Sequence, residues 1–266
     1  MQQSNNNLNL VDVHAHLDHY KFSKDLDKVI DNAKKAGVKK IITAGITPET
    51  NKIALDLSKK YDIVEASFGL YPIDALENES MRESSLKFKP FDIDEQLDWL
   101  KKNKEKFIAV GEVGLDLHSG KDIERQKTDF EKIIKVCEEI KKPIIVHSRD
   151  AEATAVSMLE NSNLKKVVLH CFGGKTELIE KARDNGWFFS IPPIIVRNKN
   201  FQKLVKKVNL SQLLTETDCP YLSPVPDVRN EPAFVAETIK KIAKIKQMED
   251  IEVANNIWMN YQNVFA

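Results

Sequence analysis

Apolar positions along the chain fall into two alternating textures. Short, aliphatic and β-branched runs occur at Leu8–Val13, Lys40–Ala44, Ile63–Leu70, Phe107–Glu112, Ile144–His147, Lys166–His170, Trp187–Ile191 and Leu213–Thr217. Between them lie longer amphipathic stretches near 23–36, 49–60, 92–104, 124–141, 150–161, 175–185, 198–208 and 232–246, with a last one near 249–262. The first texture suits strands buried on both faces and the second suits helices with one buried stripe. Strands separated by helices predict parallel pairing, and eight such units predict closure into a (β/α)8 TIM barrel of the α/β class. An open doubly wound sheet is the alternative, but no GxGxxG follows the first strand. Boundary chemistry agrees: Gly37 and Gly186 follow helices, Pro48 and Asp92 begin them, and Pro143 opens a strand. Segment 72–91 is expected to be a long polar loop after the third strand, and Met1–Asn7 a frayed terminus. No linker, repeat or low-complexity tract divides residues 1–266, which are read as one barrel domain.

Composition narrows the function classes. Forty basic residues balance forty acidic ones, so no global field collects a polyanion, and any nucleic-acid site must be local or supplied with charge by a bound metal. The three cysteines, Cys137, Cys171 and Cys219, form no CxxC pair. No secretory leader or membrane-length apolar run is visible, which predicts a cytoplasmic protein with free thiols, without a membrane or an obligate protein partner.

The first strand ends in Asp12-Val13-His14-Ala15-His16. A period of two turns Asp12, His14 and His16 to one face, where two adjacent imidazoles can reach one ion. A pair of satisfied core histidines is the plainer alternative, but burying both without a ligand is costly. The other chemistry-bearing residues follow the same placement: Glu112 at the end of strand four, His147 of strand five, His170 of strand six, and Asp218 just after strand eight. Barrel enzymes place their chemistry at this carboxyl face. Four histidines and two carboxylates suit zinc, manganese or a similar divalent ion better than an all-oxygen magnesium cage. Glu112 is placed to bridge two ions, and paired metals ~4 Å apart activate a water and stabilise attacking and leaving oxygens. Asp12 and Glu216, one layer below, are candidates to orient a histidine ring.

The ordered blocks Asp12-Val-His14-Ala-His16-Leu17-Asp18, Gly111-Glu112-Val-Gly114-Leu115-Asp116, Val146-His147-Ser148-Arg149-Asp150, Leu169-His170-Cys171-Phe172-Gly173, Glu216-Thr217-Asp218-Cys219-Pro220-Tyr221-Leu222 and Arg229-Asn230-Glu231-Pro232 resemble the TatD deoxyribonuclease family. The resemblance implies a barrel of the amidohydrolase-like superfamily acting on DNA phosphodiesters, with two divalent ions (zinc, magnesium or manganese). By the same resemblance His14, His16, Glu112 and Asp218 hold one ion, and Glu112, His147 and His170 the other. Glu112 and Asp218 are the expected catalytic carboxylates, Asp218 orienting or deprotonating water in a DNA exonuclease. One departure stands out. The family commonly has Gly-x-His-Pro after strand three, where this chain has Gly69-Leu70-Tyr71-Pro72. Tyr71 can donate a hydrogen bond but cannot become cationic near neutral pH.

Arg149, Tyr71, Arg229 and Asn230 are the candidate substrate contacts, whereas His19 and His118 read more simply as solvated loop residues. Strand alternation turns Cys171 and Cys219 away from the metals. Two other functions fit less well. A hydrolase of a lactone, cyclic amide or aminoacyl-RNA ester would polarise a carbonyl with the same site, though such enzymes often bridge their metals with a modified lysine where this chain has Glu112. A non-catalytic metal-binding barrel has no reason to keep all six ligands.

Overall fold

The computed structural model describes residues 8–82 and 88–266. Eight strands, β1 (Leu10–Ala15), β2 (Val38–Ala44), β3 (Val64–Leu70), β4 (Ala109–Asp116), β5 (Ile144–Arg149), β6 (Val167–His170), β7 (Phe188–Ile191) and β8 (Leu213–Thr215), pair in chain order, every pair parallel. The helices are α1 (Leu26–Ala36), α2 (Pro48–Lys60), α3 (Ile73–Arg82), α4 (Ile93–Lys102), α5 (Ile123–Ile140), α6 (Glu152–Glu160), α7 (Thr176–Asp184), α8 (Lys199–Lys207), α9 (Val235–Lys246) and α10 (Asp250–Phe265). This is the predicted TIM barrel. Val11, Ile42, Phe68, Val110, Ile145, Val168, Phe189 and Leu214 are all fully buried, because a barrel strand has side chains on one face and helices on the other. α1 buries Val29, Ile30 and Ala33, carries Lys34 and Lys35 in its last turn, and stops at Gly37, whose φ of 97° is cheap only for glycine. Among the described residues no helix is long and apolar enough to cross a membrane.

The barrel closes between β8 and β1 through side chains as well as backbone. Asp12 accepts from Thr217 N–H at 2.8 Å and from Thr217 Oγ1 at 2.5 Å. The Thr215 hydroxyl donates to Val11 O at 2.5 Å, and Asp218 N–H donates to His14 O at 2.8 Å. α10 packs over this seam, against both β1 and β8.

Two expectations need correction. The segment expected as a loop over 72–91 contains α3, and its residues 83–87 lie outside the described ones. Buried Ala75 and Leu76 cluster with Tyr71, away from the main core. The polar residues that made the segment look loop-like tie it to the loop after β4: Asp74 accepts from the N–H groups of Lys121 and Asp122, and Asn78 donates to Ser119 O. β4, expected to end at Glu112, continues to Asp116, so Glu112 lies within the strand. Gly114 permits the extension: with φ of 139°, any Cβ there would sit 2.0 Å from His147 O. β5 therefore pairs closely along Val113–Asp116.

Candidate metal centre

The six residues expected to hold metal come together at the carboxyl end of the barrel. Glu112 divides its two oxygens between two histidine pairs. Its Oε2 lies 3.4 Å from His14 Nε2 and 3.5 Å from His16 Nε2. Its Oε1 lies 2.8 Å from His147 Nδ1 and 3.2 Å from His170 Nε2. Asp218 Oδ1 sits on the first side, 3.3 Å from His16 Nε2 and 3.8 Å from His14 Nε2. Three overlapping trios, His14/His16/Glu112, Glu112/His147/His170 and His14/His170/Asp218, each keep their donor atoms within 4.8 Å. Asp218 reaches this position through a left-handed backbone (φ 54°) just beyond β8.

The outer nitrogens decide what the inner ones can do. His16 Nδ1 is 3.3 Å from Ala44 O, a group that can only accept, so the proton belongs on Nδ1 and the Nε2 lone pair faces the cluster. His170 Nδ1 is 3.3 Å from Glu216 Oε2, which also accepts from the buried Ser190 hydroxyl, while Glu216 Oε1 accepts from Cys171 N–H at 2.9 Å. His147 is reversed: Nε2 faces Asp116 Oδ2 at 3.3 Å and the Tyr71 oxygen at 3.0 Å, leaving Nδ1 for the cluster. Three of the four rings thus turn a lone pair inward with the outer N–H on an acceptor, the arrangement typical of metal-bound histidine. The buried His14 Nδ1 has no hydrogen-bond partner, yet its Nε2 also faces inward. The donor set fits divalent cations.

Electrostatics follow from the same contacts. Burial by itself would raise the pKa of Glu112, but the charges of His170 and His14 and hydrogen bonds from His14 and His147 hold it well below the ordinary carboxylate value. Burial opposes ionisation of Asp218 too, and is outweighed by its hydrogen bond with His16 and the charges of His170, His16 and His14. Burial disfavours charge on His16, but Asp218 and Glu112 lift its pKa to about 9. His14 is shifted the other way, by burial and by His170. The carboxylates are therefore ionised at neutral pH, and hold protons on nearby rings where no cation competes.

The remaining candidates separate clearly. Glu216 orients a ring as expected, but Asp12 reaches none and instead bonds Thr217 and His14 N–H. Tyr71 is buried: its hydroxyl donates to Asp116 at 2.5 Å and can accept from His147, so it sits behind a histidine of the cluster. Arg149 is exposed at the end of β5. Arg229 and Asn230 are both engaged within the chain. Arg229 grips Asp25 through two bonds of 2.8 and 2.7 Å and donates to Lys21 O. Asn230 is fully buried, its amide donating to Thr217 O and Tyr221 O. His118 pairs with Asp150 at 3.1 Å in solvent. Cys171 and Cys219 bring no sulfur into any of the three trios. Ser190 escaped sequence reasoning; its only signal is a lone hydroxyl within the apolar strand Phe188–Ile191.

A TIM barrel with four histidines and two carboxylates gathered at its carboxyl mouth has the architecture of a metal-dependent hydrolase. The chain matches the family described as TatD related DNase over residues 11–266, and it belongs to that family. It is 34% identical to the uncharacterized metal-dependent hydrolase YabD of Bacillus subtilis (strain 168), over 96% of this chain and 98% of that protein. It is 35% identical to the human deoxyribonuclease TATDN3, over 96% and 94%. The crystal structure of YJJV, a TatD homolog from Escherichia coli k12, superposes with a TM-score of 0.83 at 25% identity, covering 96% of this chain and 97% of that one. The chain is a metal-dependent hydrolase of the TatD family.

Proposed function

We propose that this chain cleaves phosphodiester bonds of DNA from strand ends, using two divalent ions bridged by Glu112. The observation that carries the reading is the division of the Glu112 oxygens between two histidine pairs, at 3.4 and 3.5 Å on one side and 2.8 and 3.2 Å on the other. His14, His16 and Asp218 would complete one position, and His147 and His170 the other. Ions bound there supply Lewis acidity that activates water and neutralises charge developing on phosphoryl oxygens. Asp218, ionised and bordering solvent, is positioned to orient that water and accept its proton. Glu216, Ser190, Asp116 and Tyr71 hold the rings of His170 and His147 so that the geometry survives turnover. Exposed Arg149 can contact a neighbouring phosphate. The DNA substrate is supported by the deoxyribonuclease name of the human relative, and attack at ends by the family resemblance.

Metal-free protein titrated with manganese or zinc should take up two ions per chain, and the loaded protein should release mononucleotides progressively from oligonucleotides. Chelation should stop turnover and leave the barrel folded. Saturation at one ion would refute the bridge, and rapid hydrolysis of a lactone or amide without nuclease activity would move the substrate to carbonyl compounds.

The raised pKa of His16 sets how ion uptake depends on pH. Below about 9 the ring of the metal-free protein carries a proton that must leave before Nε2 can ligate. Affinity should therefore climb as pH rises from neutrality through about 9, with His147 and His170, whose pKa values are, despite burial, raised by Glu112 and by Asp116 or Glu216, adding to the proton release. Calorimetric titration in buffers of different ionisation enthalpy should show proton release at neutral pH. Uptake without proton release would contradict the assignment of His16 as a ligand.

A further inference from the structure

The loops leaving β1 and β8, which carry the proposed ligands His16 and Asp218, also carry exposed aromatic rings. Tyr20 is 51% exposed and Tyr221 44%. His19 lies between them, its ring centroid 4.5 Å from Tyr20 and 5.6 Å from Tyr221. His19 Nδ1 accepts from Lys21 N–H at 3.2 Å, so the proton of the neutral ring sits on Nε2, which is 3.2 Å from the Tyr221 hydroxyl. The Lys21 ammonium lies 5.6 Å from the Tyr221 ring centre. Both loops fold back on residues of the cluster: His19 N–H donates to His16 O at 3.2 Å, and Tyr221 N–H to Asp218 O at 3.0 Å. Each thus places an aromatic ring within one turn of a proposed ligand.

The loops that carry the rings are braced by two of the four candidate substrate contacts, Arg229 and Asn230. Arg229 fastens Lys21 and Asp25 of the β1 loop, and Asn230 fastens Thr217 and Tyr221 of the β8 loop. Two large rings on braced loops, beside a cation and at the edge of a phosphate-accepting centre, match the physical recipe for nucleic-acid stacking. Every base offers a π face, and a rigid ring loses little entropy on contact.

We propose that Tyr20, His19 and Tyr221, whose planes meet at 32° (His19–Tyr20) and 82° (His19–Tyr221), form an aromatic shelf with an upright wall, where an unpaired nucleobase of the nucleotide whose phosphate enters the metal centre stacks on one ring and meets another edge-on. This rests on the nuclease reading and adds to it the part of the substrate that is held away from the reacting bond. Lys21 supplies charge for the adjoining backbone, and the shelf reads base planarity rather than base identity.

The test uses metal-loaded full-length protein and a short phosphorothioate oligonucleotide with 2-aminopurine at either end, whose fluorescence falls on stacking against an aromatic ring. Wild type should quench one labelled end, and Tyr20→Ala with Tyr221→Ala should abolish the quench and weaken binding roughly ten-fold or more. Tyr20→Trp and Tyr221→Phe should retain it, and either single alanine variant serves if the double one does not fold. In parallel, hydrolysis of ordinary oligonucleotides is compared with that of oligonucleotides lacking the terminal base. Wild type should lose kcat/KM through KM when the base is missing, and the alanine variant should be nearly indifferent. Equal base dependence in wild type and variant, or a quench that survives the alanines, overturns the shelf while leaving the nuclease intact. Tyrosine-dependent quenching without hydrolysis keeps the shelf and overturns the nuclease, and neither signal overturns both.

Discussion

Glu112→Gln should cost the protein both of the proposed ions at ordinary metal concentrations and lower turnover by ~10³-fold or more, the rate equivalent of several kcal/mol of charge stabilisation. The change is nearly isosteric, so the reason is charge and lone-pair count. A carboxylate offers acceptors on both sides, and here one oxygen lies 2.8 Å from His147 Nδ1 while the other lies 3.4 Å from His14 Nε2. An amide must turn its NH2 towards one histidine pair, where a cation would meet hydrogens instead of lone pairs. Metal content by mass spectrometry and single-turnover rates at saturating metal separate lost occupancy from lost chemistry. A variant that keeps two ions and near-normal turnover would remove Glu112 from its bridging place.

Asp218→Asn should behave differently. It removes one anionic oxygen from one side of the cluster, so at saturating metal at least the ion on the His147/His170 side should remain. Turnover should nevertheless fall by ~10²- to 10⁴-fold, because the amide cannot accept the proton of the attacking water. KM should move little, since the interaction is made mainly in the transition state. If the variant stays within a few-fold of wild type, the base must be sought elsewhere. Asp116 is the next carboxylate to test, although its oxygens are already engaged by Tyr71, Ser119 N–H and His147.

The candidate site was more legible than its surroundings. Strand ends are marked by abrupt polar residues after apolar runs, so His14, His147, His170 and Asp218 announced both their elements and their shared face. Glu112 was found for its chemistry even though its strand runs on through Gly114 to Asp116, an extension that rests on the close approach of Gly114 to His147 O. α3 was hidden because its buried residues, Ala75 and Leu76, pack with Tyr71 rather than in the barrel core. Arg229 and Asn230 have partners within the chain that the sequence did not disclose. They stand out in the sequence as part of the block Arg229-Asn230-Glu231-Pro232, and the partner that occupies Arg229, Asp25, lies 204 residues earlier in the chain. Local pattern carries no trace of such a partner.

The β8–β1 seam has a consequence for the economy of the whole chain. Its stitches, Asp12 to Thr217 and His14 to Asp218, join the first strand to the last, and the ligands proposed for one ion come from the same two places. An ion shared by His14, His16 and Asp218 would in effect be a removable clasp between the first and last strands of the barrel, binding only when some two hundred intervening residues have already returned to it. Occupancy and folding are then linked quantities: beyond saturation, each ten-fold rise in free ion adds about 1.4 kcal/mol of stability per site. The same ions that make the centre reactive would report, by their presence, that the circle of strands is complete.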